Sequence, residues 1–211
     1  GNFDACFRSA WLEWNRERPD AHSLELFTSA CTKGSGEACA YEGLILSEDP
    51  QRANDAVPPL KRACDLDSGS GCAHLAFLSA TGKAVPKDDR HAAELYRKSC
   101  DLGDAQGCYN AGLMADEARG VSHDAARAAS DYEEACELGS STACTNLGFA
   151  YENGKGVKQD KILALALYNR GCDGSACQPS NLGGCLNVMR AYRDGIGVTK
   201  DEAKAAIVFR E

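Results

Sequence analysis

The chain has 211 residues, with 31 acidic side chains against 23 lysines and arginines, a formal net charge of −8 and an isoelectric point near 5.1. That balance argues against a nucleic-acid binder, which carries a basic face, and the longest apolar stretch, Ile162 to Leu167, is far too short to cross a bilayer. Twelve cysteines are too many for incidental core thiols, so disulfides or metal sites are expected to organise the chain.

The first segment, residues 4–33, holds Cys6, Trp11, Trp14 and Cys31 and is expected to be a helix pair identified only by its phase. Its start, Gly1-Asn2-Phe3-Asp4, does not read as a signal peptide. From Cys31 onward the cysteines fall on a ruler. Cys31 and Cys39, Cys64 and Cys72, Cys100 and Cys108, and Cys136 and Cys144 are each eight apart, and the pairs recur at steps of 33 and then 36, with Cys172 in phase. A fixed period in this range means one supersecondary unit used repeatedly. Further helix pairs are expected at 37–66, 70–102, 106–138, 142–171 and 183–211, making a single array over 1–211 with no strand signal: an all-α fold. Glu211 stops just before the next cysteine of the series is due, so the expectation is a fragment of a longer protein.

Within a unit, Asp101-Leu102-Gly103 and Glu137-Leu138-Gly139 follow the first cysteine. The glycine sits where a left-handed helix cap belongs. A new helix starts within a few residues, so the two cysteines lie in the last turn of one helix and the first turn of the next. Antiparallel helices joined this closely bring such positions to disulfide distance. Zinc sites want a shorter gap, and no Cys-x-x-Cys occurs. Disulfides place the folded chain in an oxidising compartment, secreted or periplasmic.

Later in each unit a glycine turn recurs, Gly154-Lys155-Gly156-Val157 and Gly195-Ile196-Gly197-Val198, with looser versions at Gly82-Lys83-Ala84-Val85 and Arg119-Gly120-Val121. Asp88, Asp124, Asp160 and Asp201 then stand where they cap the next helix. That helix carries an alanine column (Ala56, Ala92, Ala128, Ala164, Ala205) and a large apolar column (Phe27, Leu60, Tyr96, Tyr132, Tyr168, Phe209), both expected to be core.

No catalytic constellation is legible. Ser-x-x-Lys and Gly-x-Ser-x-Gly are missing, and His22, His74, His91 and His123 show no metal-ligand spacing. No cofactor and no metal ion is expected.

The run Cys-x-Asn-Leu/Ala-Gly at 108–112 and 144–148, followed by Gly-x-Gly-Val, a capping Asp, Ala, Tyr and Cys, closely resembles the Sel-one-like repeat family, a relative of the tetratricopeptide repeats. The Cys-x7-Cys pairs resemble its disulfide-bridged branch, the Helicobacter cysteine-rich proteins. The resemblance implies a right-handed superhelix of αα-hairpins whose concave face serves as a non-catalytic adaptor for a protein or an extended peptide. It also implies alternatives: binding and weak hydrolysis of β-lactams, as in secreted bacterial members, or residence in the mitochondrial intermembrane space. A rigid spacer within an envelope protein is a third reading.

Two features depart from the pattern. Cys172 and Cys185 are thirteen apart, with Cys177 between them, and Cys6 stands in the second-cysteine phase, 33 before Cys39, so its partner is expected upstream of residue 1. Cys172–Cys185 is the expected bridge, leaving Cys6 and Cys177 over, and Cys177–Cys185 competes because it restores the spacing of eight.

The first helix of each hairpin resembles the concave lining of the superfamily. Two residues after each second cysteine it carries Arg8, Tyr41, His74, Asn110, Asn146 and Asn187. At plus six stand Leu12, Ile45, Leu78, Met114, Ala150 and Ala191, and at plus nine Asn15, Glu48, Thr81, Glu117, Asn153 and Asp194. Asparagine amides both donate and accept along a peptide backbone. Tyr41, His74, Asn110, Asn146, Asn187, Met114 and Asn153 are therefore the expected ligand-binding residues. The acidic excess favours a neutral or basic partner.

Overall fold

Serine and aspartate caps punctuate the chain into helices. The structure is a computed structural model that describes residues 21–172 and 182–208. Its α-helices are α1 (Ala21–Thr32), α2 (Gly36–Glu48), α3 (Val57–Asp65), α4 (Gly69–Thr81), α5 (Asp89–Asp101), α6 (Ala105–Asp116), α7 (Ala125–Glu137), α8 (Ser141–Asn153), α9 (Lys161–Cys172), α10 (Leu182–Asp194) and α11 (Glu202–Ile207). There is no strand among the described residues. The first helix expected within 4–33, with Cys6, Arg8, Trp11, Leu12, Trp14 and Asn15, lies outside them, as do Cys177 and Phe209.

The carboxylates of Asp88, Asp124, Asp160 and Asp201 accept from the backbone N–H three residues on, at 2.9–3.0 Å, and so open α5, α7, α9 and α11. Ser35, Ser68 and Ser140 do the same for α2, α4 and α8. Each cap satisfies an otherwise orphaned donor and contributes about 1 kcal/mol. The segment before α3 departs from the pattern. It has no glycine turn, and a 3₁₀ turn at Ala53–Ala56 leads into a helix with Pro58 in its first turn, where a missing N–H costs nothing.

Within each unit of the chain the helices pack on their neighbours in sequence, as consecutive helix pairs arranged like those of a solenoid. The compact units are two, 1–107 and 108–211. In the first, Phe27, Ala30, Ala38 and Ala63 surround Cys31 and Cys39, and Leu46, Ala56, Leu60, Leu75 and Leu78 form a second cluster. In the second, Ala164, Tyr168 and Val188 are the centre of a cluster flanked by Tyr151 and Tyr192. Burying each large side chain contributes about 1.5–3 kcal/mol.

The alanine and aromatic columns are interior, and a third column explains why they fit. Gly112 faces the ring of Tyr132 and Gly148 that of Tyr168, so closely that an added Cβ would stand 2.8 Å from ring carbons. On these first helices the missing side chain leaves room for the tyrosine ring to approach the backbone.

Cysteine bridges join the end of one pair to the start of the next. Cys31–Cys39, Cys64–Cys72 and Cys136–Cys144 are bonded, with Cα separations of 4.6, 4.6 and 4.7 Å. Cys100 and Cys108 are disulfide-bonded as well. Of the two pairings left open for Cys185, the structure forms Cys172–Cys185.

A column that the sequence reading missed lies two residues before the first cysteine. Arg62 donates to the Thr32 carbonyl at 3.2 Å, Lys98 to that of Cys64 at 2.7 Å and Arg170 to that of Cys136 at 3.1 Å. Each cation meets a carbonyl at the C-terminus of the preceding second helix, where the helix dipole favours positive charge.

Candidate functional site

The residues expected to line a binding face sit on the first helix of each pair: Tyr41 on α2, His74 on α4, Asn110 on α6, Asn146 on α8 and Asn187 on α10. All five are half-buried. Three of them are engaged by the protein itself. Tyr41 stacks on Phe27 with ring centroids 5.2 Å apart, and a ring nitrogen of His74 lies 2.7 Å from the Ser70 carbonyl oxygen. The Asn146 amide stands beside the hydroxyls of Tyr109 and Tyr132. Asn110 and Asn187 make no side-chain hydrogen bond among the described residues.

The plus-six column is not part of an open face. Met114 is only 2% exposed, and Leu78, Ala150 and Ala191 are buried with it, so Met114 is corrected from a groove residue to a core residue. The reason is angular. At roughly 100° per residue, plus six stands about 40° beyond plus two, on the side that turns into the second helix. Plus five stands about 60° to the other side. That position holds Leu44, Phe77, Leu113, Phe149 and Arg190. Phe77 is 50% and Phe149 45% exposed, although each is a large apolar group on a well-packed helix. Plus nine is exposed, but Asn153 donates to the Phe149 carbonyl at 2.9 Å and Thr81 to that of Phe77 at 2.7 Å, finishing their own helices.

Within the second unit the open face deepens into a cleft of about 120 Å³ among α6, α7 and α8. Leu113, Asp116, Tyr132, Asn146, Phe149 and Lys155 line it. The Tyr132 ring lies 6.1 Å from that of Tyr109, and Lys155 Nζ stands 5.0 Å from the centre of the Phe149 ring. Burial pushes the Tyr132 hydroxyl far above its usual range, and the Asp116 carboxylate pushes it further, while Asn146 opposes both. Burial raises Tyr109 too, again against Asn146. The phenols therefore stay neutral donors at any physiological pH. In the first unit a broader cleft of about 550 Å³ lies among α3, α4 and α5, with Lys61, Ser79, Lys87 and His91 on its walls. Lys87 is paired with Asp89 at 3.2 Å.

Arg190, at plus five on α10, turns back into the protein. Its guanidinium meets Glu152 of α8 at 2.5 Å, and the hydroxyl of Tyr168 on α9 donates to the same carboxylate oxygen at 2.6 Å. The Glu152 side chain is 11% exposed and that of Arg190 34%. Removing the arginine strands a nearly buried carboxylate. Arg190→Ala is expected to cost about 2 kcal/mol, below the usual value for a buried pair because the arginine is partly solvated. Urea denaturation measures it, and adding Glu152→Gln should recover part of the loss.

A family model of the Sel1 repeat matches residues 69–104, 105–140, 141–175 and 180–207. The chain belongs to the Sel1 repeat family. No curated protein matches the sequence. Among solved structures it is similar to a protective antigen of uropathogenic Escherichia coli displaying an SLR fold, with a TM-score of 0.84 and 23% identity over 100% of this chain and 45% of that one. It is likewise similar to a Sel1 repeat protein from Oxalobacter formigenes, with a TM-score of 0.79 and 20% identity over 99% of this chain and 84% of that one. At these identities the likeness is one of fold, and the chain spans less than half the length of the first protein. Helicobacter pylori cysteine rich protein B is 32% identical over 57% of this chain and 94% of its own, with a TM-score of 0.47, too low to compare architectures.

Sel1 repeats commonly serve as protein-interaction scaffolds. The five disulfides suit an oxidising, non-cytoplasmic compartment, and none of the bonded cysteines has a thiolate to offer a metal. The sequence did carry a signal for the plus-five column, since large apolar residues recur there in phase. It was hidden beside plus six, which is equally apolar and needs a neighbouring helix to be told apart.

Proposed function

We propose that this Sel1 repeat chain is a non-catalytic adaptor, secreted or periplasmic, that holds a protein or an extended peptide on the outward faces of its first helices. The observation that carries the reading is the plus-five column. Phe77 in the first unit and Phe149 in the second keep about half their surface in water. Solvated aromatics on packed helices are what a recognition surface offers a partner. On α6 and α10 of the second unit, Asn110 and Asn187 make no side-chain hydrogen bond among the described residues, so their amides can pair with a peptide backbone. Tyr41, His74 and Asn146 complete the half-buried row, and Asn153 ends one helix of it. Exposed Glu48, Glu117 and Asp194 at plus nine favour a neutral or basic partner.

The test is capture from an extracellular or periplasmic extract, comparing the native chain with Phe77→Ser and with Phe149→Ser. Each change is expected to weaken retention of the captured protein by about tenfold or more, as loss of an aromatic anchor does, while leaving the melting temperature unchanged or slightly higher. Retention equal to that of the native chain in both variants would overturn the reading.

A further inference from the structure

Resting on the reading just given, we propose that the cleft among α6, α7 and α8 receives a cationic side chain of the partner, an arginine or a lysine. Phe149 is its aromatic wall, Asp116 its counter-charge, and Asn146 and the Tyr132 hydroxyl its polar edge. The Phe149 ring is 45% exposed and already holds a cation, the Lys155 ammonium 5.0 Å from its centre. The negative face of an aromatic ring attracts positive charge in this way.

Asp116 supplies what the ring lacks. Its carboxylate has no ion-pair partner among the described residues, and it lies near enough to Tyr132 to add to the upward push that burial gives that phenol. Leu113, Ala128 and Ala150 offer an apolar floor for the methylene stem of the incoming side chain. A cleft of about 120 Å³ accepts a guanidinium with the end of its stem. Lys155, on the glycine turn between Gly154 and Gly156, is a placeholder supplied by the chain itself. Arginine displaces it more readily than lysine does, because a planar guanidinium lies flat on a ring while its fork reaches the carboxylate. The formal net charge of −8 brings such a partner in at long range.

The experiment titrates the chain, with its disulfides intact, with N-acetyl-arginine amide and with the uncharged isostere N-acetyl-citrulline amide. Proton–nitrogen and aromatic resonances of Asn146, Phe149 and Lys155 are followed by NMR. The arginine probe should shift these resonances and the citrulline probe should not. Asp116→Asn and Phe149→Leu are each expected to weaken the arginine probe roughly threefold to thirtyfold, and Lys155→Ala to strengthen it. Both weakening changes lie on exposed positions, and circular dichroism checks that the helices persist. Equal shifts with citrulline, an arginine affinity indifferent to Asp116→Asn, or no shift even in Lys155→Ala would overturn the proposal. Capture that depends on Phe77 while the probe fails would sink the cation site alone. A working probe with capture indifferent to Phe77 and Phe149 would sink the adaptor reading instead.

Discussion

Replacing Cys136 and Cys144 together by serine is expected to destabilise the chain by about 2–3 kcal/mol, read from urea denaturation as a lower midpoint with an equal or slightly steeper slope. The bridge closes a loop of nine residues counting both cysteines. In the chain-entropy account such a loop removes about 2.6 kcal/mol of freedom from the unfolded state, and that restraint is what the variant loses. The same pair sits wholly inside the structure, with Cys136 and Cys144 at most 3% exposed, so two buried hydroxyls add to the loss. Cys172–Cys185 spans thirteen positions and is expected to be worth slightly more, about 3 kcal/mol, by the logarithm of loop length. Five such bridges together match or exceed the whole stability of an ordinary domain. Full reduction should therefore abolish the helical circular dichroism signal at body temperature. A serine pair with an unaltered midpoint, or a reduced chain that keeps its helices, would show that the helix interfaces hold without the sulfurs.

Gly156→Ala should cost about 3–4 kcal/mol, a large effect for a single methyl group. Two penalties combine. The residue has φ +69, where a side chain costs about 1–2 kcal/mol. Its new Cβ would also stand 2.0 Å from the Ala125 carbonyl oxygen and 2.6 Å from the Ala126 nitrogen. Those are backbone atoms in the first turn of α7, held by the Asp124 cap, so they yield only by opening the helix start. Two comparisons separate the terms. Gly139 has φ +95 but nothing within 4 Å of an added Cβ, so Gly139→Ala should cost only the conformational part, about 1 kcal/mol. Ala84 occupies the equivalent turn position with φ +67 and a methyl group in place, so the backbone shape alone does not demand glycine. Thermal denaturation of Gly156→Ala and Gly139→Ala side by side checks the claim. Equal losses would show that contact with Ala125 is unimportant.

Much of the fold was legible because it is written in one dimension. The cysteine ruler, the aspartate at each helix start and the alanine and tyrosine columns repeat at a fixed step, and each is a local instruction: bridge, cap, approach, fill. The structure reads them the same way at Asp88, Asp124, Tyr132 and Tyr168. The candidate site was legible only in part. The row from Tyr41 to Asn187 lies half-buried on the first helices, while Met114, expected on an open face, is buried, and the exposure of Phe77 and Phe149 was not foreseen.

By itself, then, the sequence determined the repeating unit and its all-α class, because period, capping and close approach act between residues near one another along the chain. Only the tertiary structure decided which side of each first helix stays open, that Cys185 joins Cys172, and that Arg190 turns inward to Glu152. Positions five and six after a cysteine differ by a rotation of about 100°. Whether that rotation points a side chain at water or at the neighbouring helix depends on where that helix lies, which a residue's own neighbourhood in sequence does not carry.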